Sequence, residues 1–254
     1  MKLLIHVHVF HKELWDALVP SIRNLCNYDH ELYFTTPHED VELKQTIINA
    51  FPEGHYLTLP NDGYDITPFL TILKRVNLDD FDYIAKLHTK RDVSRWVNAI
   101  PFYKSWWRNY LLAPFKGRNL TKTLSTFQHH PSIGMIAHDA LIMSHDTLDD
   151  VATAKNRLTQ YNLTPPQNCH YVPGTMFIAR AKLFKPFQDT ELTNGLSPFA
   201  LERAFGYIVE AQNFKIHALH HDLWFYESTY PIRLALLLTM RTIYRIFFKW
   251  LISR

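Results

Sequence analysis

Segments with the two-residue period of a strand alternate with segments of helical period along most of this chain, and that alternation restricts the fold more than any other feature. Leu3–Phe10 is apolar and β-branched, and a helical pattern follows over 13–26. Leu32–Thr36 reads as a second strand, and Pro37-His38-Glu39-Asp40 opens a second helix with acids in its first turn, where the helix dipole favours them. His55–Leu59 is a third strand, and Asp65–Val76 a helix with Pro68 near its start, where a missing N–H is tolerated. Phe81–Leu87 is the fourth strand. This order predicts an α/β fold, a mainly parallel sheet with helices on both faces.

The second half is less regular. Trp96–Leu112 is aromatic-rich and helical in part, Thr121–Gln128 is a helix and Ile133–Ala137 a strand. Asp146–Leu158 is a polar helix, and Thr164-Pro165-Pro166 breaks the chain. Tyr171–Ala179 reads as a turn into a strand, Pro198–Gln212 as a helix and Lys215–Leu219 as a last strand. With no repeat or linker, the 254 residues read as one domain over 1–228 and a tail over 229–254.

The tail carries the clearest charge pattern. No acid follows Glu227, while Arg233, Arg241, Arg245, Lys249 and Arg254 sit among large apolar residues. Its longest uncharged run, Leu234–Met240, is far short of the ~20 residues that span a bilayer. A basic amphipathic helix lying on an anionic membrane surface is the expectation, with packing on the body of the protein as the alternative. Cys26 and Cys169 make neither a metal-ligand spacing nor a disulfide framework, and Met1–Phe10 is too short and polar for a signal sequence. Both observations suggest a cytoplasmic protein, peripheral on the inner face of the cell membrane. No nucleic-acid partner is indicated.

Two segments carry candidate chemistry. Asn61-Asp62-Gly63-Tyr64-Asp65 lies between the third strand and its helix, where open parallel sheets bind ligands. Gly63 allows close backbone approach, and Asn61, Asp62 and Asp65 can take hydroxyls; a plain turn with an N-cap explains the same residues. One unit later come Lys86, His88, Lys90 and Arg91. Lys86 and His88 share a strand face, and such a group of donors binds a diphosphate through charge-assisted hydrogen bonds. A solvated basic turn is the alternative, but it leaves Lys86 unexplained inside an apolar strand. His217, His220, His221 and Asp222 form the densest imidazole group. Trp106 and Trp107 suit sugar stacking or a core, and the core is the better reading for at least one.

N-D-G-Y-D-I-T-P-F-L, F-D-Y-I-A-K-L-H-T-K-R, S-I-G-M-I-A, G-T-M-F-I-A-R and L-E-R-A-F-G-Y-I, after the opening H-V-H-V-F-H-K-E-L-W, resemble the rhamnan synthesis protein F family over about residues 1–225. The resemblance implies a Rossmann-like glycosyltransferase of the GT-A type that builds bacterial surface polysaccharide such as capsule or lipopolysaccharide. In GT-A enzymes the strand after the N-x-G helix delivers Asp-x-Asp to a divalent metal on the donor diphosphate. Lys86-Leu87-His88 stands there instead, so Lys86, Lys90 and Arg91 would neutralise the diphosphate directly, or His88, with His221, would help hold Mg or Mn. Gly174 and Thr175 would floor the acceptor site beside Trp106 and Arg203, and Glu202 would be the general base of an inverting reaction, with Asp139 in reserve. The donor would be a dTDP- or UDP-linked sugar, rhamnose or a hexose, and the acceptor an oligosaccharide or lipid-linked saccharide. A non-catalytic module that binds saccharide or partner transferases is the alternative, kept open by the missing Asp-x-Asp.

Overall fold

The computed structural model describes residues 1–60, 62–91, 110–144 and 149–219. Seven strands form one sheet: β1 Lys2–His8, β2 Asp29–Thr36, β3 His55–Thr58, β4 Tyr83–His88, β5 Ile133–His138, β6 Phe177–Arg180 and β7 Lys215–Leu219. Their spatial order is β3-β2-β1-β4-β6-β5-β7. All run parallel except β6, which pairs antiparallel with both β4 and β5. The α/β, mainly parallel expectation holds. The single reversed strand has a consequence for function: it brings its own start to the edge where the other strands end.

Among the described residues the helices are α1 Trp15–Leu25, α2 Val41–Ala50, α3 Ile66–Arg75, α4 Gly117–His129, α5 Asp149–Gln160, α6 Thr190–Thr193 and α7 Pro198–Ala211. α2 starts at Val41 and not at Pro37, because Asp40 accepts a hydrogen bond from Leu43 N at 3.0 Å and caps it. A run of 3-10 turns over Ala181–Gln188 and the short α6 were not expected; Pro186 and the Asp189 cap shape them.

Pairing registers assign the two faces. Val7 pairs with Phe34, and Trp15 of α1 lies edge-on to Phe34 at 5.7 Å, so α1 covers that face. His6 pairs with Lys86 on the opposite face, where Phe69 of α3 stacks on His6 at 5.6 Å. There Phe69, Phe177, Phe184, Phe187 and Phe205 interlock with ring centroids 5.1–6.3 Å apart. Much of the chain's aromatic content is therefore core, each such ring adding about 0.5–1.5 kcal/mol per pair beyond its burial. Among the described residues no helix is long and apolar enough to cross a membrane. The expected basic helix of 229–254 lies outside the described residues.

Candidate functional site

In a sheet of this order the strand sequence reverses direction between β1 and β4, and the carboxyl ends flanking that point form the natural ligand crevice. Thr89 closes the crevice floor. Its Oγ1 accepts hydrogen bonds from the backbone of Phe10 at 2.9 Å and His11 at 2.8 Å, tying the loop after β1 to the end of β4. No role was expected of Thr89; only its place in the K-L-H-T-K-R run pointed to it.

Lys86 is fully buried, and its ammonium is used up. It pairs with Asp65, donates to Thr175 Oγ1 at 2.7 Å and to Thr175 O at 3.2 Å, and lies 5.3 Å over the Phe69 ring. Thr175 Oγ1 passes its own hydrogen to Asp65 Oδ2 at 2.5 Å. Three N–H donors meet three acceptors, so Lys86, expected to bind a diphosphate, has none left for it. The acceptor that explains a lysine in an apolar strand is Asp65, expected to bind ligand hydroxyls. Burial works against the Asp65 carboxylate, yet the charges of His88 and Lys86 and its two hydrogen bonds hold its pKa well below the ordinary range.

His88 is also committed. Its Nε2 lies 2.7 Å from Gly174 O, an acceptor, so Nε2 carries the hydrogen. Burial pushes its pKa down to about 4, and the ring is neutral at pH 7. A hard divalent cation wants several oxygen ligands. Here it would find an imidazole donating to a carbonyl and a carboxylate paired with lysine. That donor set does not fit Mg or Mn, and His221 lies outside the described residues.

The turn that receives these contacts is strained. Gly174 has φ 83° and Thr175 φ 49°, both left-handed. A Cβ on Gly174 would sit 3.0 Å from Leu111 and 3.3 Å from the Lys90 ammonium. Glu202, in the first turns of α7, grips the same turn from the other side, accepting from Gly174 N at 2.8 Å. Its side chain is 18% exposed. Burial raises its pKa, against the pull of the Gly174 N–H, Lys90 and Arg203. A carboxylate raised in this way suits proton acceptance near neutral pH. Arg203 is buried, donates to Phe199 O at 2.8 Å and covers the Tyr171 ring at 4.8 Å, so it is held as a structural cation. Lys90 makes no ion pair among the described residues.

The remaining expectations scatter. Gly63 does serve a close approach, but to the protein: a Cβ there would meet Thr67 Oγ1 at 1.9 Å. Asp62 is exposed. Asp139 stands two strands from β4, 44% exposed, with His138 Nδ1 at 2.8 Å. Asn61, Trp106 and the histidines at 220 and 221 lie outside the described residues, while His217 is on β7.

Sequence reasoning missed a cavity of about 320 Å³ at the ends of β1 and β2, lined by His11, Lys12, Glu13, His38, Asp40 and Arg91 among others. Two ion pairs rim it, Lys12 with Asp40 at 3.1 Å and Arg91 with Glu13. Of the described residues expected to bind a donor, Arg91 alone lines it. The loop residues come from H-K-E, which entered the sequence reading through the opening that resembles the family, and from P-H-E-D, which read as a helix start.

A family model described as rhamnan synthesis protein F matches residues 1–213. Two curated relatives, each an uncharacterized protein WxcX from Xanthomonas campestris pv. campestris, are 24% identical over 247 residues. That is 90% of this chain and 34% of theirs, so the chain spans about a third of the length of the curated relatives it matches. Among solved structures, S. aureus TarS 1–349 gives a TM-score of 0.45 at 12% identity, covering 82% of this chain and 55% of that one. The same protein in complex with UDP gives 0.42 at 13%, covering 82% and 56%. Likeness at that level carries nothing about chemistry.

Proposed function

From the premise that this chain belongs to the rhamnan synthesis protein F family, we propose that it is a glycosyltransferase of the GT-A type in bacterial surface-polysaccharide synthesis. It moves rhamnose or a hexose from a dTDP- or UDP-linked donor to a saccharide. The observation that supports this most is the Gly174–Thr175 turn, held from one side by Lys86 and His88 and from the other by Glu202. That arrangement brings a raised carboxylate close to Lys90, which makes no ion pair among the described residues.

In this reading the nucleoside enters the cavity beside His11 and Arg91, and the diphosphate lies toward Lys90. Glu202 takes the proton of the acceptor hydroxyl as its oxygen attacks the anomeric carbon. The bond from that carbon to the diphosphate oxygen breaks on the opposite side, its electron pair leaving with the nucleotide under the field of Lys90. The outcome is inversion. The acceptor is an oligosaccharide or a lipid-linked saccharide, and the 229–254 tail brings the enzyme to the inner membrane surface.

The test is turnover of a panel of nucleotide sugars with three variants. Glu202→Gln should abolish transfer while donor binding stays within a few-fold. Lys90→Ala should weaken nucleoside diphosphate binding about tenfold or more, the loss of one charge-assisted hydrogen bond, and leave nucleoside binding alone. Asp139→Asn should leave transfer intact. Transfer surviving in Glu202→Gln would remove the base. A second reading, a non-catalytic saccharide-binding module, is favoured by Lys86-Leu87-His88 at the end of β4, where a metal-holding carboxylate pair would stand. Sugar binding without turnover of any donor would select it.

A further inference from the structure

At the end of the sheet opposite the candidate site, three side chains from three segments converge. Cys26 closes α1, His30 is the second residue of β2, and Glu53 sits on the turn between α2 and β3. One ligand atom from each, the thiol sulfur, a ring nitrogen and a carboxylate oxygen, all lie within 4.8 Å of one another. The two cysteines are far apart in sequence and offered no metal spacing to each other. The fold supplies different partners.

The imidazole is prepared as a ligand. His30 Nδ1 lies 2.8 Å from Tyr28 O, which can only accept, so Nδ1 holds the hydrogen and Nε2 holds the lone pair of the neutral ring. That Nε2 is buried and has no hydrogen-bond partner among the described residues, with Glu53 Oε1 3.7 Å away. A carbonyl that orients an imidazole from behind is the usual outer support of a metal-bound histidine. The lone pair thus points at two other electron-rich atoms with no hydrogen bond to satisfy it.

We propose that Cys26, His30 and Glu53 form a zinc site, with water in the fourth position on the exposed side. Thiolate, imidazole and carboxylate are the ligand set that zinc accepts, and calcium and magnesium do not take sulfur. On binding, the Cys26 thiol gives its proton to solvent, and thiolate plus carboxylate balance the charge of the ion. A tetrahedral shell with bonds of 2.0–2.3 Å separates ligand atoms by roughly 3.3–3.8 Å. The site must therefore contract by up to about 1.5 Å, to which rotation of the half-exposed Glu53 side chain contributes. The ion ties the end of α1, the start of β2 and the α2–β3 turn together, a clip on the fold remote from glycosyl transfer.

The experiment uses metal-free, untagged, full-length protein titrated with Co²⁺ alone. A thiolate-to-cobalt charge-transfer band should appear, saturate at one equivalent and vanish on addition of Zn²⁺. Zinc at about 100 times its Kd should raise Tm by roughly 5–10 °C. The band should be lost in Cys26→Ser and His30→Gln and kept in Cys169→Ser. Glu53→Gln changes a surface residue that folding does not need, and should weaken zinc by more than about tenfold, the loss that even outer partners cause. Absence of the band, a band that survives Cys26→Ser, or zinc affinity unchanged in Glu53→Gln each overturns the site. None of these outcomes depends on transferase activity.

Discussion

Lys86 shows how one side chain changes meaning between sequence and structure. A cation within an apolar strand suggests a ligand, because an unpaired buried charge is too costly to keep. Asp65, 21 residues earlier, removes that cost. The pair is a fixed part of the fold, and breaking it leaves a carboxylate almost without water, 16% exposed. Lys86→Met, which keeps the volume of the side chain, should therefore lower stability by about 3–5 kcal/mol in urea denaturation. Adding Asp65→Asn should restore most of the loss, since both charges are then gone. A single variant within about 1 kcal/mol of the parent would show that solvent reaches Asp65 and that the pair does little.

At the scale of elements, α7 carries Glu202 and must approach the Gly174 turn closely. The approach is set at Gly206, where a Cβ would lie 2.2 Å from His170 O and 2.6 Å from Tyr171 Cα. Two effects compete in Gly206→Ala. Helix propensity favours alanine by about 1 kcal/mol. The clash is with backbone, which cannot turn aside as a side chain can, so overpacking wins and the net loss should be about 1–3 kcal/mol. The shift should also displace Glu202 from Gly174 N, lowering transfer more than donor binding. A stabilised Gly206→Ala protein would mean that α7 stands off from residues 170–171.

For the whole molecule, acid is the informative perturbation. His88 is held neutral by burial at a pKa of about 4, and burial also lowers His6 well below its ordinary value. Between about pH 6.5 and 4 the unfolded chain binds protons that the folded one refuses, so stability must fall as pH drops through that window. His88 alone accounts for about 3 kcal/mol. Glu202, raised by burial, works in the opposite sense, one group against two. Chemical denaturation across this range should show the fall, and His88→Asn should flatten it; a level profile would place both imidazoles in contact with water. The tail has its own test. Removing 231–254 should leave donor binding unchanged and abolish binding to anionic vesicles, to which five cations at about 1 kcal/mol each would contribute. Equal vesicle binding by both proteins would reject the membrane role.

The period of the hydropathy pattern, a local property of the backbone, determined the order of the main strands and helices and the mainly parallel α/β sheet, with bounds off by up to four residues and the 181–193 turns unforeseen. It also determined which segments reach the ligand edge, since loops at strand ends follow from strand order, and the expectation for Lys90 arose in that way; Gly174 and Glu202 were named only by the family resemblance. Four things were decided only in the folded chain. The reversal of β6, short and fully apolar in its buried part, has no local signature, because strand direction depends on neighbours. The pairing of Lys86 with Asp65 and the convergence of Cys26, His30 and Glu53 join residues that no spacing links. The cavity beside His11 and Arg91 exists because Thr89 draws the β1 loop onto β4. Periodicity is written in neighbouring residues, but charge pairing, ligand convergence and empty volume are properties of distances across the chain, which packing alone fixes.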